Sequence, residues 1–180
     1  MSHVSEFTGV IITSIPALQF AIQQFCPGCE LVQQSHYRTW KDDHNGQFVG
    51  DWQGPAGVDP AQLGDNALYV IRATEKCLRE TFKLSTRGGL TAPYEIGVVA
   101  RGNGEFTLMA DFWNQGNGLL KLPGLGIYDY AKNAAFADLF MYYRMAEQRA
   151  VAMARGDDIE FEQQADRWVA TVHTKQAIGS

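Results

Sequence analysis

An alternating pattern centred on Asn103-Gly104 constrains the fold more than any other feature of this sequence. Apolar or small residues occupy every second position on both sides of it. Asn-Gly adopts positive φ readily, as a tight two-residue hairpin turn requires. The pattern therefore predicts a β-hairpin from Tyr94 to Arg101 and back from Glu105 to Trp113. The series expected on one face of it is Tyr94, Ile96, Val98, Ala100, Phe106, Leu108, Ala110 and Phe112.

Other segments place this hairpin among further elements. Residues 4–13, 30–40 and 68–73 are predicted strands, and residues 15–25 show the apolar spacing of a helix that ends at Pro27-Gly28. A long helix is predicted from about 128 to 155, with two strands after it. The order indicates one α+β domain over 1–180, in which two helices pack on a mainly antiparallel sheet. Residues 41–66 read as a long loop insertion, and 74–92 as a second, less clearly defined one.

Composition narrows the classes of partner. The formal net charge is −5, and the fifteen basic residues are scattered, which disfavours nucleic acid as a partner. No apolar run reaches the roughly 18 residues of a membrane span. Three cysteines without a secretory signal favour a cytoplasmic location. The glycine runs around 116–118 and 124–126 lack the spacing of a phosphate loop, read as a flexible connection, and no cofactor is predicted.

Several motifs resemble one protein family. They are Met1-Ser2-His3 before an apolar strand, Tyr94-Glu95-Ile96-Gly97, Gly104-Glu105-Phe106 and Leu108-Met109-Ala110-Asp111. Together these are similar to the "hypothetical chloroplast open reading frame thirty-five" family of cyanobacteria, plastids, other bacteria and some phages. The segments 49–54 and 141–144 fit the family less tightly. The chain is longer than the family pattern around 37–48 and 74–92.

The resemblance implies an α+β fold and no catalytic assignment, because the family is a domain of unknown function. Some bacterial members look like accessory proteins encoded beside an ATPase. The resemblance therefore implies a role as a partner of another protein, with an ATPase among the candidates. The matched positions are candidates for a surface that the family shares.

The Cys26-Pro27-Gly28-Cys29 segment has three interpretations. A redox pair needs a thiol at a helix N-terminus, whereas this pair follows a helix, whose dipole there raises the thiol pKa. A zinc site needs further ligands, and His36, His44 and Cys77 match no known spacing. The favoured interpretation is a helix-ending turn.

Two sets of side chains are candidates for chemistry. His36, Asp42, Asp43 and His44 lie within nine residues and would suit a divalent metal or acid–base work, although a solvated polar loop is the simpler interpretation. Glu95 and Asp111 are expected on one face of the hairpin, where two carboxylates would suit acid–base catalysis. Their alternatives are to hydrate an exposed sheet face or, for Asp111, to cap the following connection.

The aromatic residues complete the functional prediction. Tryptophans in loops make good interface anchors, and we expect a non-enzymatic module that binds another protein. The alternative is a small metal-dependent hydrolase that uses one of the two sets above. The residues predicted for the protein contact are Trp52, Gly54, Asp111, Trp113, Tyr143 and Arg144.

Overall fold

A computed structural model describes residues 4–44, 62–87, 92–111, 118–126 and 135–174. The order of its helices and strands is that of an α+β fold, as predicted. In chain order they are β1 (Val4–Ile12), α1 (Ile15–Phe25), β2 (Cys29–Val32), α2 (Trp40–Asp43), β3 (Tyr69–Ala73), α3 (Glu75–Glu80), β4 (Ile96–Gly102), β5 (Glu105–Asp111), α4 (Ala137–Ala154), β6 (Asp158–Gln164) and β7 (Arg167–His173).

Five strands form one antiparallel sheet in the order β1-β5-β4-β3-β2. Strands β2 to β5 follow one another as a meander, and β1 lies at the far edge beside β5. The connection from β1 to β2 therefore crosses the whole sheet, and α1 makes that crossing. The predicted hairpin is confirmed, with φ of 54° at Asn103 and 75° at Gly104 in the turn.

Helix α1 begins and ends where its sequence predicts. The Ser14 side chain accepts a hydrogen bond from the Ala17 amide, which satisfies one of the free amides of the first turn. At the other end Gly28 has φ of 95° and allows the chain to reverse. The apolar side of α1 packs against α4 and against one face of the sheet, and this cluster is the main core.

The other face of the sheet is also covered, which the sequence did not indicate. The predicted strand 30–40 is wrong beyond Val32, where β2 ends. Continued alternation from buried Leu31 would place Gln33 and Ser35 in the main core, and polar side chains are costly there. The chain instead crosses to the second face and lies over it. We call residues 33–44 the covering segment.

Helix α4 is shorter than predicted, since it begins at Ala137. Phe136 has φ of 61°, a left-handed conformation that interrupts a right-handed helix. Positions 127–134 lie outside the described residues. Strands β6 and β7 form a separate two-stranded sheet, which we call the ribbon, and the prediction of a C-terminal strand pair is confirmed. None of the helices in the described ranges combines the length and hydropathy needed to cross a bilayer.

Candidate functional site

A row of charged side chains runs across the second face of the sheet. Glu30 on β2 stands opposite Arg72 on β3. Ile71 pairs with Ile96, and Ile96 pairs with Ala110. One residue further along each antiparallel strand, Arg72 is followed across the sheet by Glu95 and then by Asp111. We call Glu30, Arg72, Glu95 and Asp111 the charged row. Glu95 and Asp111 are 8% and 0% exposed, so neither serves to hydrate an open sheet face.

The covering segment is attached to this row through its backbone. The Arg38 amide donates to Glu95 Oε2 at 3.0 Å, and the Trp40 amide donates to Asp111 Oδ2 at 2.8 Å. The Glu95 amide donates in return to the Arg38 carbonyl at 2.9 Å. Two buried carboxylates thus accept from main-chain donors, which compensates part of the cost of burying them. Both residues of the predicted acid–base pair hold the covering segment in place.

Two more positions of the hairpin motif receive the same segment. The Tyr94 hydroxyl donates to Asp43 Oδ2 at 2.9 Å. The ring of Tyr37 lies directly on Gly97, where a Cβ atom would come within 2.6 Å of Tyr37 Cε1. The residues of Tyr94-Glu95-Ile96-Gly97 that face the covering segment are therefore buried beneath it. The expectation that these matched positions form a shared surface is wrong for them.

A cleft of about 290 Å³ opens beside the charged row. It brings together Glu95 of the predicted acid–base pair and two residues of the predicted metal set, His36 and Asp42. It also contains three arginines from three parts of the chain. Its lining residues are Gln34, His36, Arg38, Asp42, Arg72, Arg87 and Glu95.

His36 connects the covering segment to the chain before β3. Its Nε2 lies 2.8 Å from Asp42 Oδ1 and its Nδ1 lies 2.8 Å from Asp65 Oδ1. A neutral imidazole has one N–H, so only the protonated ring can donate to both carboxylates. Partial burial lowers the His36 pKa, but hydrogen bonds and charge from Asp65 and Asp42 outweigh it, and the net pKa is raised.

The arginines of the cleft are engaged with carboxylates. Arg72 Nε and Arg87 Nη2 contact the same oxygen of Glu30, at 2.9 and 2.8 Å. Arg87 Nε also contacts Glu75 at 2.9 Å, and Arg38 pairs with Asp43. The pairs of Arg72 and Arg87 link β2, β3 and the start of α3, whereas the Arg38–Asp43 pair lies within the covering segment. They stabilise the walls of the cleft.

Glu95 and Asp111 have different access to the cleft. Glu95 lines the cleft, and burial raises its pKa, opposed mainly by the amide of Arg38. Asp111 is not among the described residues that line the cleft, and it borders a cavity of about 10 Å³. A molecule in the cleft would therefore meet Glu95 and His36, with Asp111 behind the covering segment.

The predicted metal set does not converge. Asp43 contacts Arg38 and Tyr94, and the His44 ring packs against Trp40 at a tilt of 37° with a centroid distance of 3.9 Å. Only His36 and Asp42 remain adjacent. Across the parts of the chain that the structure describes, no group of three or more His, Cys, Asp or Glu side chains is arranged to hold a metal ion.

The cysteines lie in the core below the end of α1. Cys26 Sγ donates to the Gly124 carbonyl at 3.3 Å. Burial, and secondarily the charge of Asp138, raises the Cys26 pKa to about 12, and burial also raises that of Cys29. Both are free thiols. Gly124 is packed closely against the end of α1, because a Cβ there would meet the Phe25 carbonyl oxygen at 2.1 Å.

The residues predicted for a protein contact are placed very differently. Tyr143 is fully buried, accepts from the Thr13 and Ser14 amides at 2.9 and 3.2 Å, and donates to Glu147 at 2.6 Å. Arg144 is exposed and pairs with Glu147. Asp111 is buried, as described above. Trp52, Gly54 and Trp113 lie outside the described residues.

A second concavity was not predicted from the sequence. It is a groove of about 530 Å³ between α4 and the ribbon, and we call it the α4–ribbon groove. Its walls include Val151 and Val172, which are 52% and 53% exposed. Arg144 lies at its rim. The lining residues are Arg144, Glu147, Gln148, Val151, Ala152, Arg155, Asp157, Ile159, Ala170 and Val172.

Sequence reasoning missed the arginines of the cleft and this groove. Arg72 interrupts an otherwise apolar strand, and a charge inside a buried strand indicates a buried partner. The groove had a weaker signal, namely valine and alanine on the last turns of a helix that precedes a strand pair.

Comparisons of the chain with protein-family models, curated proteins and solved structures find no match.

Proposed function

We propose that this chain is a non-enzymatic protein-binding module that docks another protein in the α4–ribbon groove. The observation that carries the proposal is the apolar wall of the groove, where Val151 and Val172 remain half-exposed on opposite sides. Contiguous exposed apolar surface with a polar rim is typical of protein-interaction sites.

The rim of the groove supports a protein partner. It carries two cations, Arg144 and Arg155, and two carboxylates, Glu147 and Asp157. An apolar floor inside a mixed polar rim is the usual composition of a protein interface. Arg144 belongs to the contact residues predicted from the sequence, and arginine is frequent among residues that dominate binding energy. The family resemblance makes an ATPase the first class of partner to test.

A matched pair of variants tests the proposal. Val151 and Met153 are both on α4 and both 52% exposed, but only Val151 lines the groove. Native-host lysate is passed over immobilised wild-type, Val151→Asp and Met153→Asp proteins. We expect the wild type and Met153→Asp to retain the same protein, and Val151→Asp to lose it. Equal capture by all three proteins would contradict docking in this groove.

A second candidate function is a small hydrolase, as in the alternative drawn from the sequence. The observation in its favour is that one cleft combines His36 and Asp42 with Glu95. A carboxyl group of raised pKa and a histidine held by carboxylates are suitable for general acid–base catalysis. Ester and phosphate substrates would be assayed with and without added divalent metal. Turnover that Glu95→Gln leaves unchanged would eliminate Glu95 as the acid or base.

A further inference from the structure

The ribbon leaves one strand edge without the features that usually protect such edges. Within the described part of the chain, β7 forms strand hydrogen bonds only with β6. An unpaired strand edge is a template for another strand, and natural edges are usually guarded by charge or proline. Strand β6 carries Asp158, Glu160 and Glu162. Between Arg167 and His173, β7 reads Trp-Val-Ala-Thr-Val, with no charge and three β-branched residues.

The two faces of the ribbon differ in a way that makes β7 the open strand. Ile159, which is buried, stands opposite Val172, and Phe161 stands opposite Ala170, so these residues share the inner face. Of the two ribbon strands, β6 makes the main contact with α4. Ala170 and Val172 of β7 therefore form the floor of the α4–ribbon groove.

We infer that the α4–ribbon groove and the β7 edge are completed by a second copy of this chain, with β7 paired antiparallel to its counterpart. The inference goes beyond the proposed function, because a second copy would occupy the same groove that the foreign protein is proposed to enter. A two-fold axis near Ala170 would join the two ribbons into one four-stranded sheet. The central pairs would be formed by tryptophan, alanine and β-branched residues, which favour cross-strand packing.

The spacing of strands explains how such a pairing closes the groove. Three strand spacings separate the two β6 strands, a distance of about 14 Å. A helix with its side chains is about 10–12 Å across. Two α4 helices over the outer strands would then leave a gap of only a few ångströms above β7. Gln148 and Val151, which line the groove on the α4 side, would then face the second copy across that gap.

Charge favours pairing through β7 over symmetric pairing through β6, the other strand of the ribbon. Antiparallel self-pairing of β6 about Phe161 would set Glu160 against Glu162 of the other copy, and like charges in direct opposition destabilise a sheet. Pairing through β7 about Ala170 brings no carboxylates into opposition and sets Arg167 against His173, which contacts Glu160 of its own ribbon. The groove rim has two arginines and two carboxylates per copy, so the closed grooves carry no net charge from these four residues.

The expected dimer is in equilibrium with the monomer. Stable interfaces bury roughly 1,200–2,000 Å², and a pair of seven-residue strands supplies only part of that area, so a stable dimer also requires contact within the closed grooves. A foreign partner that enters the groove would compete with the second copy. The dimer is thus the form expected for the isolated chain as its concentration rises.

Sedimentation equilibrium of the full chain tests the inference with two variants. Val169→Lys places a cation on the β7 edge, and a charge there disfavours pairing with another strand. The new lysine lies opposite Glu162 of the same ribbon, so the opposite-charge pair stabilises the ribbon of the monomer. Gln163→Lys adds the same charge on β6 as a control. We expect a dimer that forms with rising concentration, and we expect Val169→Lys to weaken it by at least about tenfold while Gln163→Lys leaves it intact.

The outcomes separate this inference from the proposed function. A wild-type chain that stays monomeric throughout its soluble range overturns the inference, and equal sensitivity to both lysines also overturns it. Loss of the foreign protein by Val151→Asp would still uphold the proposed function in those cases. A dimer weakened only by Val169→Lys, together with foreign-protein capture indifferent to Val151→Asp, would uphold the inference and refute the proposed function.

Discussion

Replacing Gly97 with alanine should destabilise the protein because of one ring. An alanine Cβ would lie 2.6, 2.7 and 3.0 Å from three atoms of the buried Tyr37 ring, whereas ordinary contacts begin at 3.4 Å. Overpacking of this kind costs typically 1–3 kcal/mol, and the entropic gain of glycine to alanine returns about 0.5–1 kcal/mol. We expect a net loss of about 1–2 kcal/mol, or a Tm lower by roughly 2–8 °C.

The control for this prediction is the same substitution in a Tyr37→Leu background. Without the ring, Gly97→Ala should be neutral or stabilising by about 0.5–1 kcal/mol, since the backbone at Gly97 has no positive φ. Urea denaturation of the four proteins gives the coupling free energy, expected to be about 1 kcal/mol or more. Equal effects of Gly97→Ala in both backgrounds would refute the placement of Tyr37 on the sheet.

Three further predictions concern titration and capping. Burial raises the Glu95 pKa above its ordinary 4.5, so the folded state binds this proton more tightly than the unfolded state does. The free energy of unfolding of the wild type, relative to that of Glu95→Gln, should therefore fall as pH rises above about 4.5. Urea denaturation at a series of pH values measures it. The His36 pKa, measured by NMR, should exceed 6.5 and should be lower in Asp65→Asn. The stabilisation from protonated His36 is present below pH 6.5 and is lost as pH rises through the pKa of His36 in the folded state. Tyr143→Phe should cost about 1–3 kcal/mol in thermal denaturation, since two main-chain amides lose their acceptor; an unchanged Tm would contradict that capping role.

The hairpin and α1 could be predicted because their signals are local. Asn103-Gly104 fixes a turn, and Ser14 and Gly28 fix two helix ends, whatever else the chain does. The covering segment could not be predicted in the same way. Its position depends on amide contacts to Glu95 and Asp111, which lie 57 and 71 residues away in sequence.

The candidate site shows the same division between local and distant information. The sequence singled out His36, Asp42 and Glu95, and the structure brings these three into one cleft. The sequence did not indicate that Asp43 would contact Arg38 and Tyr94 instead of His36, because that contact depends on which face of the sheet the covering segment crosses. The start of α4 was also missed, since a left-handed Phe136 has no signature in apolar periodicity.

Hydrogen exchange of the full chain, alone and with the protein captured from the host, tests the central claim most directly. Docking in the α4–ribbon groove predicts slower exchange along residues 144–154 of α4 and in the β6–β7 ribbon, with residues 33–44 unchanged. Protection that is confined to the cleft beside Glu95, with the groove exchanging as in the free chain, would contradict the account.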